Sequence, residues 1–369
     1  MNETRICSVC GAILTEHSAY ELDDEVMCEQ CYSDRTVNCD CCGERIWRNS
    51  AEICGNHYIC SSCYDDHYTS CEDCGRVIHR DDACYVDDSD YPYCSTCYHK
   101  LQDTPIKPYG YKPSPIFYGD GNLFMGVELE IDGAGEEDCN ADEILSIGNK
   151  DADHIYCKHD GSLDEGFEIV SHPMTLDYHL HKMNWKEVMS RAVDMNYASH
   201  NTDSCGLHIH CGRSSFGETI EEQEAAIGRV VYFVEKHWDE LVNFSRRTPS
   251  NLNRWAARYA TLSNSAEITY KSAKEKFMGR YVAVNLTNYN TIEFRMFRGT
   301  LRYKTFAATL QLVQHICTLA ILLSDKDFEN MSWSKFVLSI DSEDTELIEY
   351  LKLRRLYVNE ATTNGSEEY

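Results

Sequence analysis

The chain has no run of eighteen consecutive apolar residues, the length a helix needs to cross a hydrocarbon core, so no membrane span is expected. It also lacks a basic start followed by an apolar stretch. The opening MNETRICSVC carries no secretory pattern, a reducing, cytoplasmic setting is expected, and disulfides among the 20 cysteines are therefore disfavoured. Positive charge is scarce, with 34 Lys and Arg against 61 Asp and Glu for a net charge of −27. Sequence-independent binding of nucleic acid needs clustered cations that displace counterions, and that function class is disfavoured. No Walker-type or dinucleotide-type Gly-rich loop occurs, so no motif signals nucleotide binding by itself. Proline is limited to seven residues, and four of them (Pro105, Pro108, Pro113, Pro115) fall within 101–122, which predicts a semi-stiff linker without regular structure.

What the chain does have is a repeat. Cys7, Cys39 and Cys71 lie 32 residues apart, and each opens a C-x2-C pair (with Cys10, Cys42 and Cys74) followed by glycine. A second pair closes each unit: Cys28 and Cys31, Cys60 and Cys63, Cys94 and Cys97, followed by Tyr32, Tyr64 and Tyr98. The match continues through Leu14, Ile46 and Ile78 and through Ala19, Ala51 and Ala83. Seventeen or nineteen residues between pairs suit a hairpin that returns the second pair to the first. Four soft thiolates per unit then give a closed tetrahedral site for structural zinc, and a unit of some thirty residues needs that metal to fold. Three tandem modules are expected, at about 7–34, 39–66 and 71–100, resembling zinc ribbons or halves of LIM domains. Cys41, Cys54 and Cys84 fall outside the repeat, and His57 and His79 are not needed as ligands. Residues 1–100 hold 7 Lys and Arg against 20 Asp and Glu, a balance of 7 − 20 = −13, so this region is expected to dock on a protein surface and not on DNA.

A chain of 369 residues leaves room for a second, larger domain, expected at 123–357 with a disordered tail at 358–369. Short alternating segments separated by amphipathic stretches predict an α+β fold, with helices over 174–197, 219–244, 303–324 and 342–356. Thr219 and Glu222 form a capping-box pattern at the start of the second of these. Within the helices, His179, His181, His315 and Cys317 are read as packing residues.

Four strand patterns carry chemistry. In GVELEI, alternation turns Glu128 and Glu130 to one face and Val127, Leu129 and Ile131 to the other. The same spacing pairs His208 with His210 in GLHIHCG, pairs Glu293 with Arg295 in TIEFRMF, and exposes Glu168 in GFEIVS. A half-solvated strand also alternates, but usually with Thr, Ser, Lys or Gln. Carboxylates gathered on one face repel unless cations or protons offset them, which points to magnesium. Cys205 and Cys211 flank the histidine strand without a visible activating partner, so a thiol nucleophile is set aside.

The ordered set GVELE, DGSL with GFEIVSHP, GLHIHCG and TIEFRMFRGTL, spanning roughly 123–325, resembles the amidoligase family. That resemblance implies a glutamine synthetase-like curved antiparallel sheet with flanking helices, holding two or three Mg²⁺ or Mn²⁺ ions beside ATP. By the resemblance Glu128, Glu130, Glu168, His208 and Glu293 would be metal ligands, with Asp160 a further one for which Asp164 or Glu165 could substitute. His210, Arg295 and Arg298 would act on the transferring phosphoryl group, with Lys158 and Arg280 as further phosphate contacts. The implied reaction is an ATP-dependent condensation of a carboxylate with an amine, the substrate being a small molecule, peptide or protein. Many members are encoded by bacteriophages, so the resemblance leaves such a source open. A non-enzymatic zinc adaptor and a metal-dependent hydrolase using the same residues are the competing classes.

Overall fold

The computed structural model describes residues 5–15, 18–54, 57–85, 90–200, 202, 204–276 and 278–358. The expected disordered tail lies outside the described residues from position 359 onward. The chain divides into two compact units, Met1–Asp103 with Gly110–Ser114, and Thr104–Tyr109 with Pro115–Tyr369.

The first unit repeats one plan three times. A short hairpin comes first, pairing Arg5–Ile6 with Ile13–Leu14, Thr36–Asn38 with Arg45–Trp47, and Tyr68–Ser70 with Val77–His79. A second hairpin follows, pairing Ala19–Leu22 with Glu25–Cys28 and Glu52–Cys54 with His57–Ile59, reduced in the third module to a Cys84–Tyr93 bridge. A helix closes each module: Glu29–Arg35, Ser61–His67 and Ser95–Asp103. No linker intervenes, since the next module's first strand begins on the residue after the helix, at Thr36 and at Tyr68. The glycine after each first pair is there for its backbone. Gly11, Gly43 and Gly75 have φ of +76°, +79° and +67°, a left-handed turn that glycine adopts without steric cost. Their N–H groups donate to the carbonyls of Cys7, Cys39 and Cys71 at 2.8–2.9 Å.

The second unit is built on a seven-stranded sheet. Its strands are β1 (Ile106–Lys107), β2 (Met125–Ile131), β3 (Ile155–Lys158), β4 (Phe167–Ser171), β5 (Gly206–Gly212), β6 (Val284–Asn285) and β7 (Thr291–Arg298), in spatial order β1-β3-β4-β2-β5-β7-β6. All pairs are antiparallel except β1 with β3. The fold is thus α+β as expected, with one parallel edge in place of a wholly antiparallel sheet. That edge strand lies within residues 101–122, where regular structure was not expected, because two residues paired with Cys157 and Lys158 leave no periodic signal in a Pro-rich segment. Apolar β2 residues Met125, Val127, Leu129 and Ile131 are fully buried on one face. Helices Asp138–Gly148, Trp185–Asp194, Ile220–Lys236 and Tyr303–Leu322 contribute to that core.

The capping box of Thr219 and Glu222 is present at the head of Ile220–Lys236. The span read as one helix over 174–197 is instead two, Leu176–His181 and Trp185–Asp194, and that over 219–244 breaks between Lys236 and Trp238. Tyr303–Leu322 is long and apolar enough to cross a membrane by length and composition, which the count of uninterrupted apolar residues did not register. In this unit its residues Phe306, Leu310, Val313 and Ile316 are buried in the core instead.

Gly166 sets the entry to β4. A Cβ there would stand 1.9 Å from the Ile131 carbonyl oxygen and 2.6 Å from Asp132 Cα, both backbone atoms that cannot yield alone. Gly166→Ala is expected to destabilise the second unit by about 3 kcal/mol and lower its melting temperature by roughly 6–12 °C. Thermal unfolding of the zinc-loaded protein checks this, and an unchanged transition would show that β4 has room to shift.

Candidate metal and active site

The strand registers bring the polar residues of four strands together. Glu128 stands opposite His208, Glu130 opposite Glu168, and His210 opposite Glu293. His208 Nδ1 is 3.2 Å from Glu128 Oε2 and 3.7 Å from both Glu130 Oε1 and Glu293 Oε1. His210 Nε2 is 3.1 Å from Glu128 Oε1 and 3.9 Å from Glu293 Oε1. Two sets can each hold a cation: Glu128, His210 and Glu293, and Glu130, Asp160 and Glu168, their ligand atoms lying within 4.8 Å of one another. His210, which the resemblance places at the phosphates, groups with Glu128 and Glu293 in the first set, and His208 Nδ1 also faces Glu128, Glu130 and Glu293. Asp160 joins the second set. Asp164 and Glu165 instead direct their backbone N–H groups to Asp132 at 3.3 and 2.7 Å.

The electrostatics fit a cation. Burial, with Asp160 nearby, raises Glu130 to about 8. Burial and Glu128 push Glu168 well above the usual carboxylate range, although Lys158 opposes this. Burial would raise Glu128 as well, but His210 and His208 outweigh it and hold Glu128 well below its ordinary value. His208 Nε2 is buried without a hydrogen-bond partner among the described residues. Buried polar atoms are rarely left so. Hard carboxylate oxygens with an imidazole nitrogen suit Mg²⁺ or Mn²⁺.

Around these sets lie the basic residues. Arg295 Nη1 donates to Glu293 Oε1, its Nε to the Trp255 carbonyl at 3.4 Å, and its guanidinium lies 5.7 Å from the Tyr281 ring centroid. Lys158 Nζ is 2.9 Å from Glu168 Oε1, and both side chains are buried. It is a counter-charge inside the second set and not a surface ion pair. Arg280 is exposed, donates to the hydroxyls of Tyr109 and Tyr281, and has no carboxylate partner among the described residues. Arg298 is not with the carboxylates. It lines a separate cavity, with Arg246 and Arg354 as its charged neighbours. The cause is distance along β7, where Arg298 pairs with Gly206 at the strand's far end from Glu293.

Sequence reasoning missed three contributors. Arg247, 4% exposed, donates through Nη1 to the Arg295 carbonyl at 2.6 Å. Burial lowers it to about 10, with the Glu130 charge opposing. Asn285 and Asn288 donate to Glu293 Oε2 at 2.8 and 3.3 Å, which fixes that carboxylate. Their signal was the run VNLTNYN just ahead of TIEFR. Burial pushes the Cys205 thiol up to about 12, which disfavours its thiolate. His179 is held by Met125 O and Trp185 Nε1 at 2.9 and 3.0 Å, a packing role.

In the first unit the twelve repeat cysteines form three clusters: Cys7, Cys10, Cys28 and Cys31; Cys39, Cys42, Cys60 and Cys63; Cys71, Cys74, Cys94 and Cys97. The Sγ separations Cys10–Cys28, Cys42–Cys60 and Cys74–Cys94 are 3.8, 3.8 and 3.9 Å. A tetrahedron around zinc with bonds of about 2.3 Å has edges of about 3.8 Å. The N–H of Cys28 leads the backbone groups that lower the Cys7 thiol to about 6. These clusters can bind zinc.

Residues 146–317 match a family described as "Putative amidoligase enzyme". This part of the second unit is thus similar to the family that the motifs indicated. The match includes Asp160, Glu168, His208, His210, Glu293 and Arg295 and begins after the strand that bears Glu128 and Glu130. No curated protein matches the chain.

Proposed function

We propose that the second unit is an ATP- and magnesium-dependent carboxylate–amine ligase. The observation that carries this is the convergence of Glu128, Glu130, Glu168, His210 and Glu293 on one sheet face within an amidoligase-matching chain. A substrate carboxylate attacks the γ-phosphorus of ATP and ADP leaves. An amine then attacks the resulting acyl phosphate, losing a proton and expelling inorganic phosphate to leave an amide. Divalent ions held by the two sets would offset the charge of the phosphates and of the transferring phosphoryl group. The chain's own cations have the complementary task. Arg295 lies beside Glu293, and Lys158 lies beside Glu168, so both deliver positive charge where two anionic substrates must approach. Asn285 and Asn288 hold Glu293 in place. The acidic zinc modules would recruit a protein or peptide substrate.

The test is ADP formation with magnesium across amino acids, polyamines and peptides, comparing wild type with Glu128→Gln and Glu293→Gln. Turnover that depends on an amine and falls by about 10³-fold in both variants is expected. ADP release indifferent to any amine would favour a hydrolase, and zinc-loaded protein that binds no nucleotide would favour an adaptor.

A further inference from the structure

A cavity of about 430 Å³ lies at the end of β7, lined by Arg246, Arg298, Arg302, His200, Thr300 and Thr305. Three arginines around one cavity are unusual in a chain of net charge −27, where acids are abundant enough to pair with them. Among the described residues none of the three has an ion-paired carboxylate, the arginines that do being Arg5, Arg191, Arg229, Arg258 and Arg295, and Arg246 has a hydrogen bond with Tyr350. Neighbouring Arg354, itself a cation hydrogen-bonded to Asn243, adds to the positive charge. Like charges crowd here, and burial together with Arg246 and Arg354 lowers Arg298.

Backbone geometry adds to this charge. Arg302 is the N-cap of Tyr303–Leu322, makes no side-chain capping bond, and no acid occupies the first turn. That position normally carries an acceptor such as Ser or Asp, because the first N–H groups of a helix lack partners and its dipole favours negative charge. A cation at this cap is unfavourable unless an anion joins it. Arg246 has φ of +58°, a left-handed conformation rarely kept by a residue with a side chain, and it caps Trp238–Ser245. The register sets Arg298 opposite Gly206, two residues before His208 on β5, and the Gly206 N–H donates to Glu130 of the second set.

We propose that this arginine-lined cavity binds an oxyanion group, phosphate or carboxylate, of a substrate used by the neighbouring site. Guanidinium groups present paired donors that match either oxyanion. The assignment to a substrate rests on the ligase reading, whereas the capacity to bind an oxyanion does not.

The probe is pyrophosphate, titrated calorimetrically into full-length, zinc-loaded, magnesium-free protein. Wild type should bind it, and the double variant Arg298→Gln/Arg302→Gln should bind at least tenfold more weakly while melting no lower than wild type. Glu128→Gln should bind pyrophosphate like wild type even though its turnover is lost. Retained binding alongside absent ligase turnover in wild type would leave the anion site standing and remove the ligase. Displacement by magnesium-free ATP would identify a nucleotide phosphate, and displacement by an oligoglutamate peptide but not by ATP would identify an acidic substrate. Displacement by neither would overturn the assignment to a substrate group. Absence of pyrophosphate binding, or equal binding in the double variant, would overturn the site itself.

Discussion

Glu130→Gln is expected to abolish turnover and, in the magnesium-free protein, to raise the melting temperature of the second unit. Glu130 is 3% exposed, and burial beside Asp160 raises it to about 8 from an ordinary value near 4.5. A group whose folded value is raised contributes its full stability below the unfolded value and loses it as pH rises through the folded one. In wild type, stability should therefore fall between about pH 4.5 and 8, as an anion is forced into an apolar setting. A shift of this size corresponds to roughly 5 kcal/mol at most, and a few kcal/mol after relaxation, which is about 10 °C in melting temperature. Glutamine keeps an oxygen for the Gly206 N–H that Glu130 now accepts, and has no charge to bury. The two melting curves should coincide near pH 4.5 and separate up to pH 8. Magnesium should reverse the order, stabilising wild type and leaving the variant unmoved. A constant gap across this pH range would mean that Glu130 is not the buried anion described here.

The second large effect belongs to the cysteines. A zinc-loaded chain should contain three zinc ions, and chelation should unfold Met1–Asp103 while the seven-stranded unit keeps its structure. Each module's buried cluster is small, for example Cys39, Ile59, Cys60 and Cys63 in the middle one. Such a core cannot meet the entropic cost of ordering some thirty residues. Metal binding to modules of this kind supplies about 10–16 kcal/mol of apparent folding free energy. Cys63→Ala should reduce the metal content from three ions to two and abolish amide protection in Glu52–Cys54 and His57–Ile59. Protection that survives in the metal-free protein would show that the hairpins are held by something other than zinc.

Much of this architecture was legible because its signals are local. Cysteine spacing gives the three clusters directly, since a C-x2-C pair and its return hairpin lie within one short segment. Strand alternation likewise gave the shared face of Glu128 and Glu130, a property of adjacent residues. What failed was long-range. Which histidine meets which carboxylate depends on the register between β2, β5 and β7, and an irregularity between Leu207 and Ile209 shifts that pairing. That is why His210 stands among the carboxylates alongside His208, which alternation alone could not show. Arg247 follows a left-handed residue at the end of a helix and reaches Arg295 only through the folded sheet. Arg298 shared a motif with Arg295 but not its surroundings. The break in the helix over 174–197 lies at Lys182, Met183 and Asn184, where nothing in the apolar spacing marks a stop.

The parallel edge strand at Ile106–Lys107 alters where this protein can be cut. Tyr109, just beyond it, touches the Lys158 ammonium and accepts a hydrogen bond from Arg280. A truncation beginning at Leu123, the point the sequence pattern suggests, would strip Cys157 and Lys158 of their neighbour and open a raw sheet edge next to a buried ion pair. A fragment beginning at Thr104 keeps both. A stable second unit is therefore expected only from a fragment that keeps Thr104–Tyr109 with the sheet, even though Gly110–Ser114 groups with the first unit.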